Sequence, residues 1–168
     1  MKHAQPRLDR LGAYPFERLK SLFADVRPNH DLPHIDAGVG EPRLPLPGFV
    51  REILDAHLGG FSRYPPSRGM PVLREAISEW LMRRYGLSFV NPESQVLTAN
   101  GTREALFAVA HALVNPETFH PKPFVLMPNP MYQIYLGAAV TAGAEPHFMP
   151  CTQDNGFAPD TDAVTETV

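Results

Sequence analysis

Hydrophobic positions along the chain follow two rhythms. Spacing of three and four residues marks helices. Phe16, Leu19, Leu22 and Phe23 follow Pro15; Phe49, Val50, Ile53, Leu54 and Leu58 fill Pro47 to Leu58; and Leu73, Ile77, Trp80, Leu81 and Arg84 fill Pro71 to Tyr85. Prolines stand at the first turns, and Gly59-Gly60 and Gly86 follow the last turns of the second and third, where each residue type is favoured. Arg74, Glu75, Glu79 and Arg83 are predicted on the wet side of the third helix. Short unbroken apolar runs read instead as strands: Val96–Ala99, Phe124–Met127 and Ala144–Met149, the second covered on both faces. Between them come an almost wholly apolar, buried helix from about Thr102, ended by Asn115-Pro116, and a helix from about Met131 to Ala142. Pro128-Asn129-Pro130 breaks the preceding strand, with Asn129 as cap, Pro130 at the first helical position and Gly143 past the end. A further cap-like pattern, Pro159-Asp160-Thr161-Asp162, opens Phe157 to Val168.

Alternating strands and helices imply an α/β domain with crossover connections. The strand ends at Ala99 and Met127 then share one sheet edge, where ligands of such sheets bind. At the first end, Asn100-Gly101 turns a strand into a helix. That corner gathers unpaired backbone N–H groups and the positive end of a helix dipole, which suit a phosphate. Thr102 can act as N-cap or turn its hydroxyl to a ligand; the same pattern also serves an ordinary capped connection. It lacks the further glycines of a dinucleotide fingerprint and the Gly-Lys-Ser/Thr of a Walker loop. Tyr132, three residues before Tyr135 on one helix face, supplies a flat aromatic surface at the second end. Gly101–Arg103 and Tyr132 should therefore face one cleft, and a phosphorylated aromatic ligand would satisfy both.

Two other stretches are irregular. Ile35-Asp36-Ala37 is a brief extended piece, followed by Gly38-Val39-Gly40-Glu41-Pro42, whose glycines permit positive φ or close ligand approach and equally suit a linker turn. Phe61 to Gly69 is a proline-rich loop carrying Tyr64, Arg63 and Arg68, a candidate ligand contact or simply surface.

Composition narrows the classes. With 168 residues, 43% hydrophobic and 20% charged, the chain has room for one domain with a real core. A formal net charge of −3 excludes a strong field for nucleic acid or an anionic membrane. The single cysteine, Cys151, cannot form an intrachain disulfide and fits a reducing, cytoplasmic compartment. No signal-peptide core and no membrane-length apolar run are present. No metal is expected: His30 and His34 are four apart, but Pro28 and Pro33 forbid the helix that would align them.

Four stretches, taken together, resemble the class I/II, fold-type-I pyridoxal-phosphate aminotransferases. They are Gly38-Val39-Gly40-Glu41-Pro42; Tyr64-Pro65 with Gly69 and Leu73-Arg74-Glu75-Ala76; Asn100-Gly101-Thr102-Arg103-Glu104-Ala105-Leu106; and Pro128-Asn129-Pro130-Met131-Tyr132-Gln133-Ile134-Tyr135. Their order and spacing match the family, and their detail is most similar to succinyldiaminopimelate aminotransferases of lysine biosynthesis. The resemblance implies a three-layer α/β/α large domain of the PLP-dependent transferase fold, present in its N-terminal portion at 47–168, preceded at 1–46 by an arm and part of a small domain. It implies pyridoxal 5'-phosphate as cofactor, its phosphate held at Gly101, Thr102 and Arg103 and its ring stacked on Tyr132. Gly40 would contact the substrate carboxylate, and Tyr64 would reach the phosphate in a neighbouring subunit, hence a homodimer with shared sites. The implied reaction moves an amino group between N-succinyl-LL-2,6-diaminopimelate and 2-oxoglutarate/glutamate, the cofactor acting as electron sink.

The family also needs a Schiff-base lysine, an aspartate at the pyridinium nitrogen, an asparagine at the ring oxygen and a late arginine, all beyond the residues present. Lys2, Lys20 and Lys122 do not match the lysine motif. The expectation is therefore an N-terminal fragment or truncated product, inactive alone. A non-catalytic ligand-binding or assembly protein on the same scaffold, or a carbon–sulfur lyase of the same fold, are the competing expectations.

Overall fold

The computed structural model describes residues 6–35, 37–118, 122–162 and 164. The Asp36 part of the extended piece and the end of the Phe157–Val168 pattern lie outside them. The chain divides into two units, one built from Met1–Val26 with Ala99–Val168, the other from Arg27–Thr98.

In the first unit, a 3-10 helix Pro6–Arg10 and helix α1 (Pro15–Leu22) form an N-terminal arm. Pro15 opens α1 as expected, although Phe16, Leu19, Leu22 and Phe23 all stay exposed. The second unit holds helices α2 (Gly48–Ala56) and α3 (Pro71–Tyr85). The Gly59-Gly60 pair lies within a 3-10 helix, Leu58–Ser62, that follows α2. Gly86 closes α3 in the left-handed conformation, φ 65°, the geometry glycine adopts most readily.

Returning to the first unit, α4 (Thr102–Leu113) leads to strand β1 (Phe124–Asn129), helix α5 (Ile134–Ala142) and strand β2 (Glu145–Pro150). The two strands are parallel, with Phe124 opposite Glu145 and Met127 opposite Phe148. A parallel pair needs a crossover, and α5 supplies it. Met127, Ala139 and Ala144 are fully buried at its centre, with Val114, Val125, Met131, Tyr135 and Leu136 packed around them. Small alanines on α5 let the helix lie close on the strands, and Gly143, φ 91°, ends it. Among the described residues no helix is long and apolar enough to cross a membrane.

Several sequence expectations are corrected. Val96–Ala99 forms no ladder among the described residues; β propensity becomes a strand only where a neighbour supplies backbone partners. The strand predicted to stop at Met127 continues through Pro128 to Asn129, whose carbonyl accepts from the Cys151 N–H at 2.9 Å. Asn129 therefore cannot cap the next helix, which starts at Ile134 after Gln133. Tyr132 lies in the preceding turn, its carbonyl accepting from the Tyr135 N–H at 3.0 Å. β1 is covered on one face: Val125 and Met127 turn inward, while Phe124 and Leu126 are exposed. α4 packs on α5 yet has no buried residue, and Val109 and Leu113 are open. Apolar composition indicates what a helix could bury, not how much of it finds a partner.

Arg74 departs furthest from expectation. Helical spacing puts it on the wet face of α3, but it is 4% exposed, and Ser78 one turn later is 3% exposed. Both serve the turn after α3. Arg74 Nη1 donates to Pro92 O at 2.9 Å and Nη2 meets Glu93 Oε1 at 3.0 Å, while Ser78 Oγ donates to Val90 O at 2.5 Å. Arg68 also donates to the Glu93 carbonyl and lies 3.5 Å from its carboxylate. The hydrogen bond from Arg74, supported by both arginine charges, holds the Glu93 carboxyl below the usual range.

Candidate functional site

The corner after Asn100 forms because Gly101 takes φ 113° and ψ 162°, a conformation essentially reserved for glycine. This bends the chain directly into α4. Gly101 is itself the N-cap and Thr102 the first helical residue, so the expectation that Thr102 caps the helix is corrected. The Gly101 carbonyl accepts the first helical bond, from the Ala105 N–H at 3.2 Å. Gly101 has no side chain with which to cap the helix. The first-turn amides are therefore left facing a partner from elsewhere, with the dipole favouring an anion. Glu104 is the near competitor, since its Oε2 would lie 3.0 Å from a Cβ added at Gly101. It is exposed. Gly101→Ala should lower stability by about 2 kcal/mol through backbone strain, readable as an earlier urea midpoint. An unchanged midpoint would show that the corner does not need glycine.

The structure brings Arg103 and Tyr132 together. Arg103 Nε donates to the Tyr132 hydroxyl at 3.0 Å across 29 residues of sequence. That hydrogen bond, first among the causes, raises the guanidinium's pKa further above its already high ordinary value. Tyr132 meets Tyr135 edge to face, with ring centroids 5.9 Å apart and an interplanar angle of 85°. This T-shaped contact restrains the Tyr132 ring. Arg103 and Tyr132 line a cleft of about 390 Å³.

Sequence reasoning missed the rest of that wall. Leu11, Gly12, Ala13, Tyr14 and Pro15 of the arm line the same cleft, with Gln133 beside them. Gln133 Nε2 donates to the Tyr14 hydroxyl at 2.6 Å. The only local signal was a tyrosine just before a helix-opening proline.

Gly40 and Tyr64 belong to the Arg27–Thr98 unit. Gly40 is exposed, and a Cβ there would meet nothing within 4 Å. The Glu41 N–H donates to Val39 O at 3.0 Å, so the segment turns tightly around it. Tyr64 is fully exposed, 101%, on its proline-rich loop. No group of three or more metal-ligating side chains occurs among the described residues.

The aminotransferase class I and II family profile matches residues 34–168, most of the chain. The chain belongs to that family. This aminotransferase-family chain is 33% identical over 160 residues to the LL-diaminopimelate aminotransferase of Desulforudis audaxviator and 32% over 164 residues to that of Moorella thermoacetica. It is covered over 94% and 96% of its length, while spanning only 39% and 40% of those relatives. Among solved structures it resembles an aminotransferase from Neisseria meningitidis, with 35% identity and a TM-score of 0.86 over 100% of this chain and 41% of that one. The α/β fold expected from the sequence is thus that of the N-terminal part of an aminotransferase. The family is pyridoxal-phosphate-dependent.

The residues present fit such a group. Uncapped first-turn amides and the Thr102 hydroxyl are donors for a phosphate, Arg103 adds a fixed positive charge, and Tyr132 offers an aromatic face beside them.

Proposed function

We propose that these residues form the cofactor-binding part of a pyridoxal-phosphate-dependent aminotransferase acting on a diaminopimelate-type amino acid in lysine biosynthesis. The observation that carries the reading is the Arg103–Tyr132 contact: the second residue of α4 meets the tyrosine, and both line one cleft, whose lining does not include Gly101 or Thr102. In this reading the α4 amides and Thr102 hold the cofactor phosphate, Arg103 balances its charge and Tyr132 orients the ring. Gly40 contacts the substrate carboxylate through its backbone, and Tyr64 reaches the cofactor phosphate in a second subunit of a cytoplasmic homodimer. Residues 1–46 act as the arm and part of a small domain, and 47–168 as part of the large domain. The cofactor supplies the electron sink for the amino-group transfer.

The 168 residues have no transaminase activity of their own in this reading. Among the described residues the lysines are Lys20, on α1, and Lys122, whose Nζ lies 3.8 Å from Glu145 Oε1. Neither lines the cleft. The resemblance in the motifs favours a succinylated substrate, whereas the relatives are named for LL-diaminopimelate.

Turnover is measured with 2-oxoglutarate, pyridoxal phosphate and three donors: N-succinyl-LL-2,6-diaminopimelate, LL-diaminopimelate and aspartate. The expected result is none for the 168-residue chain and a strong diaminopimelate preference for a version extended to the relatives' length. Turnover by the short chain would overturn the inactivity. An extended chain that binds cofactor but turns over no amino donor would favour a non-catalytic role.

A further inference from the structure

Two side-chain contacts, one on each side of residues 11–13, fasten the N-terminal arm to the body of its own unit, besides the packing of its 3-10 helix on α5. Arg10 grips Glu145 with both guanidinium ends, Nη1 to Oε1 at 3.1 Å and Nη2 to Oε2 at 2.6 Å. Tyr14 is held by Gln133, as described above. Between the two fasteners run Leu11, Gly12 and Ala13, all lining the cleft that contains Arg103 and Tyr132. Gly12 and Ala13 have almost no side chain to adjust. The shape of that wall is therefore set by where the backbone is held.

Glu145 is a rigid anchor. It begins β2, pairs opposite Phe124 and donates its N–H to Pro123 O at 2.9 Å. Lys122 stands on its other side, 3.8 Å from Oε1. Exposed ion pairs contribute little to global stability, but a two-pronged arginine–carboxylate contact fixes geometry as well as distance. Hydrogen bonding from Arg10, first among the causes, holds the Glu145 carboxyl below its usual range, so the pair is charged at neutral pH.

We propose that Arg10 and Glu145 are positioning residues: a salt bridge outside the cleft holds the arm as a fixed wall and so sets which ligands the Arg103–Tyr132 site accepts. This rests on reading that cleft as the cofactor and substrate site. A loosened arm widens the cleft, and selectivity falls before the fold does.

The test is hydrogen–deuterium exchange on the 168-residue chain, with calorimetric titration of pyridoxal 5'-phosphate into the same samples. Glu145→Gln and Arg10→Ala should each speed exchange over residues 11–14 by about three- to fivefold and weaken binding by a similar factor. Exchange in α5 and β2 should stay unchanged. The charge reversal Arg10→Glu with Glu145→Arg should restore part of both effects, incompletely because Lys122 stands beside position 145. Unchanged exchange in both single variants, no recovery on charge reversal, or faster exchange with unaltered ligand affinity would each overturn the proposal. A parent chain that binds no pyridoxal phosphate would count against the proposed function, while the exchange result still decides whether the pair holds the arm.

Discussion

Gly69→Ala should destabilise the Arg27–Thr98 unit by about 3 kcal/mol, combining overpacking with left-handed strain. Gly69 has φ 78°, and its N–H closes a turn onto Pro66 O at 2.8 Å. A Cβ there would lie 2.3 Å from Thr98 Oγ1, 2.6 Å from Cγ2 and 3.0 Å from Cβ. Rotating the threonine can clear one of the first two clashes but not both, because its Cβ carries two heavy atoms, and the third remains, so the surrounding backbone must shift. Urea unfolding followed by the fluorescence of Trp80, the chain's one tryptophan, reads the change. Adding Thr98→Ala removes Oγ1 and Cγ2 and should recover most of the steric share, leaving the Cβ contact and the φ strain; a double-mutant cycle reads that difference. A Gly69→Ala midpoint within error of the parent would refute the close approach. Glycine at this position is therefore a packing requirement as well as a turn requirement.

The second large effect is expected at Arg74. Arg74→Ala should cost about 2–4 kcal/mol, because a buried, hydrogen-bonded charge and its packing are removed together. The Pro92 carbonyl and one Glu93 oxygen lose their donor, and the volume under α3 is left unfilled. Arg74→Lys should recover little, since a single ammonium cannot reproduce two diverging contacts. Nε of Arg74 already has no acceptor among the described residues, so the guanidinium is held by its two ends alone. Glu93→Gln should be milder, because Glu93 is exposed and solvent can replace much of what it provides. Trp80 lies on the same helix, and the same unfolding experiment ranks the three variants. An Arg74→Ala chain as stable as Glu93→Gln would refute the buried clamp.

These two sites show how far local pattern reached. Proline starts and glycine stops placed α1, α3 and the end of α5 closely, because such residues act through backbone geometry that no distant contact overrules. The parallel β1–β2 pair was legible for a related reason: two short apolar runs separated by one helix leave few alternatives. Arg74 was not legible. Helical spacing assigns a face, but only the turn at Asn91–Gln95 decides that this face receives carbonyl and carboxylate partners. The start of α5 was misread because Asn129 suits a cap and a strand end equally well, and the ladder bond to Cys151 decides between them.

By itself the sequence determined the limits of α1 and α3 and the end of α5, the parallel crossover, the glycine corner at Gly101 and the kinship with aminotransferases, all of which are written in neighbouring residues and ordered motifs. Only the tertiary structure decided that Arg103 meets Tyr132, that the arm walls their cleft and that Arg10 is tied to Glu145. Those contacts join residues 29 and 135 positions apart. A side chain's partner at that range is fixed by how the layers pack, and no local rhythm records it.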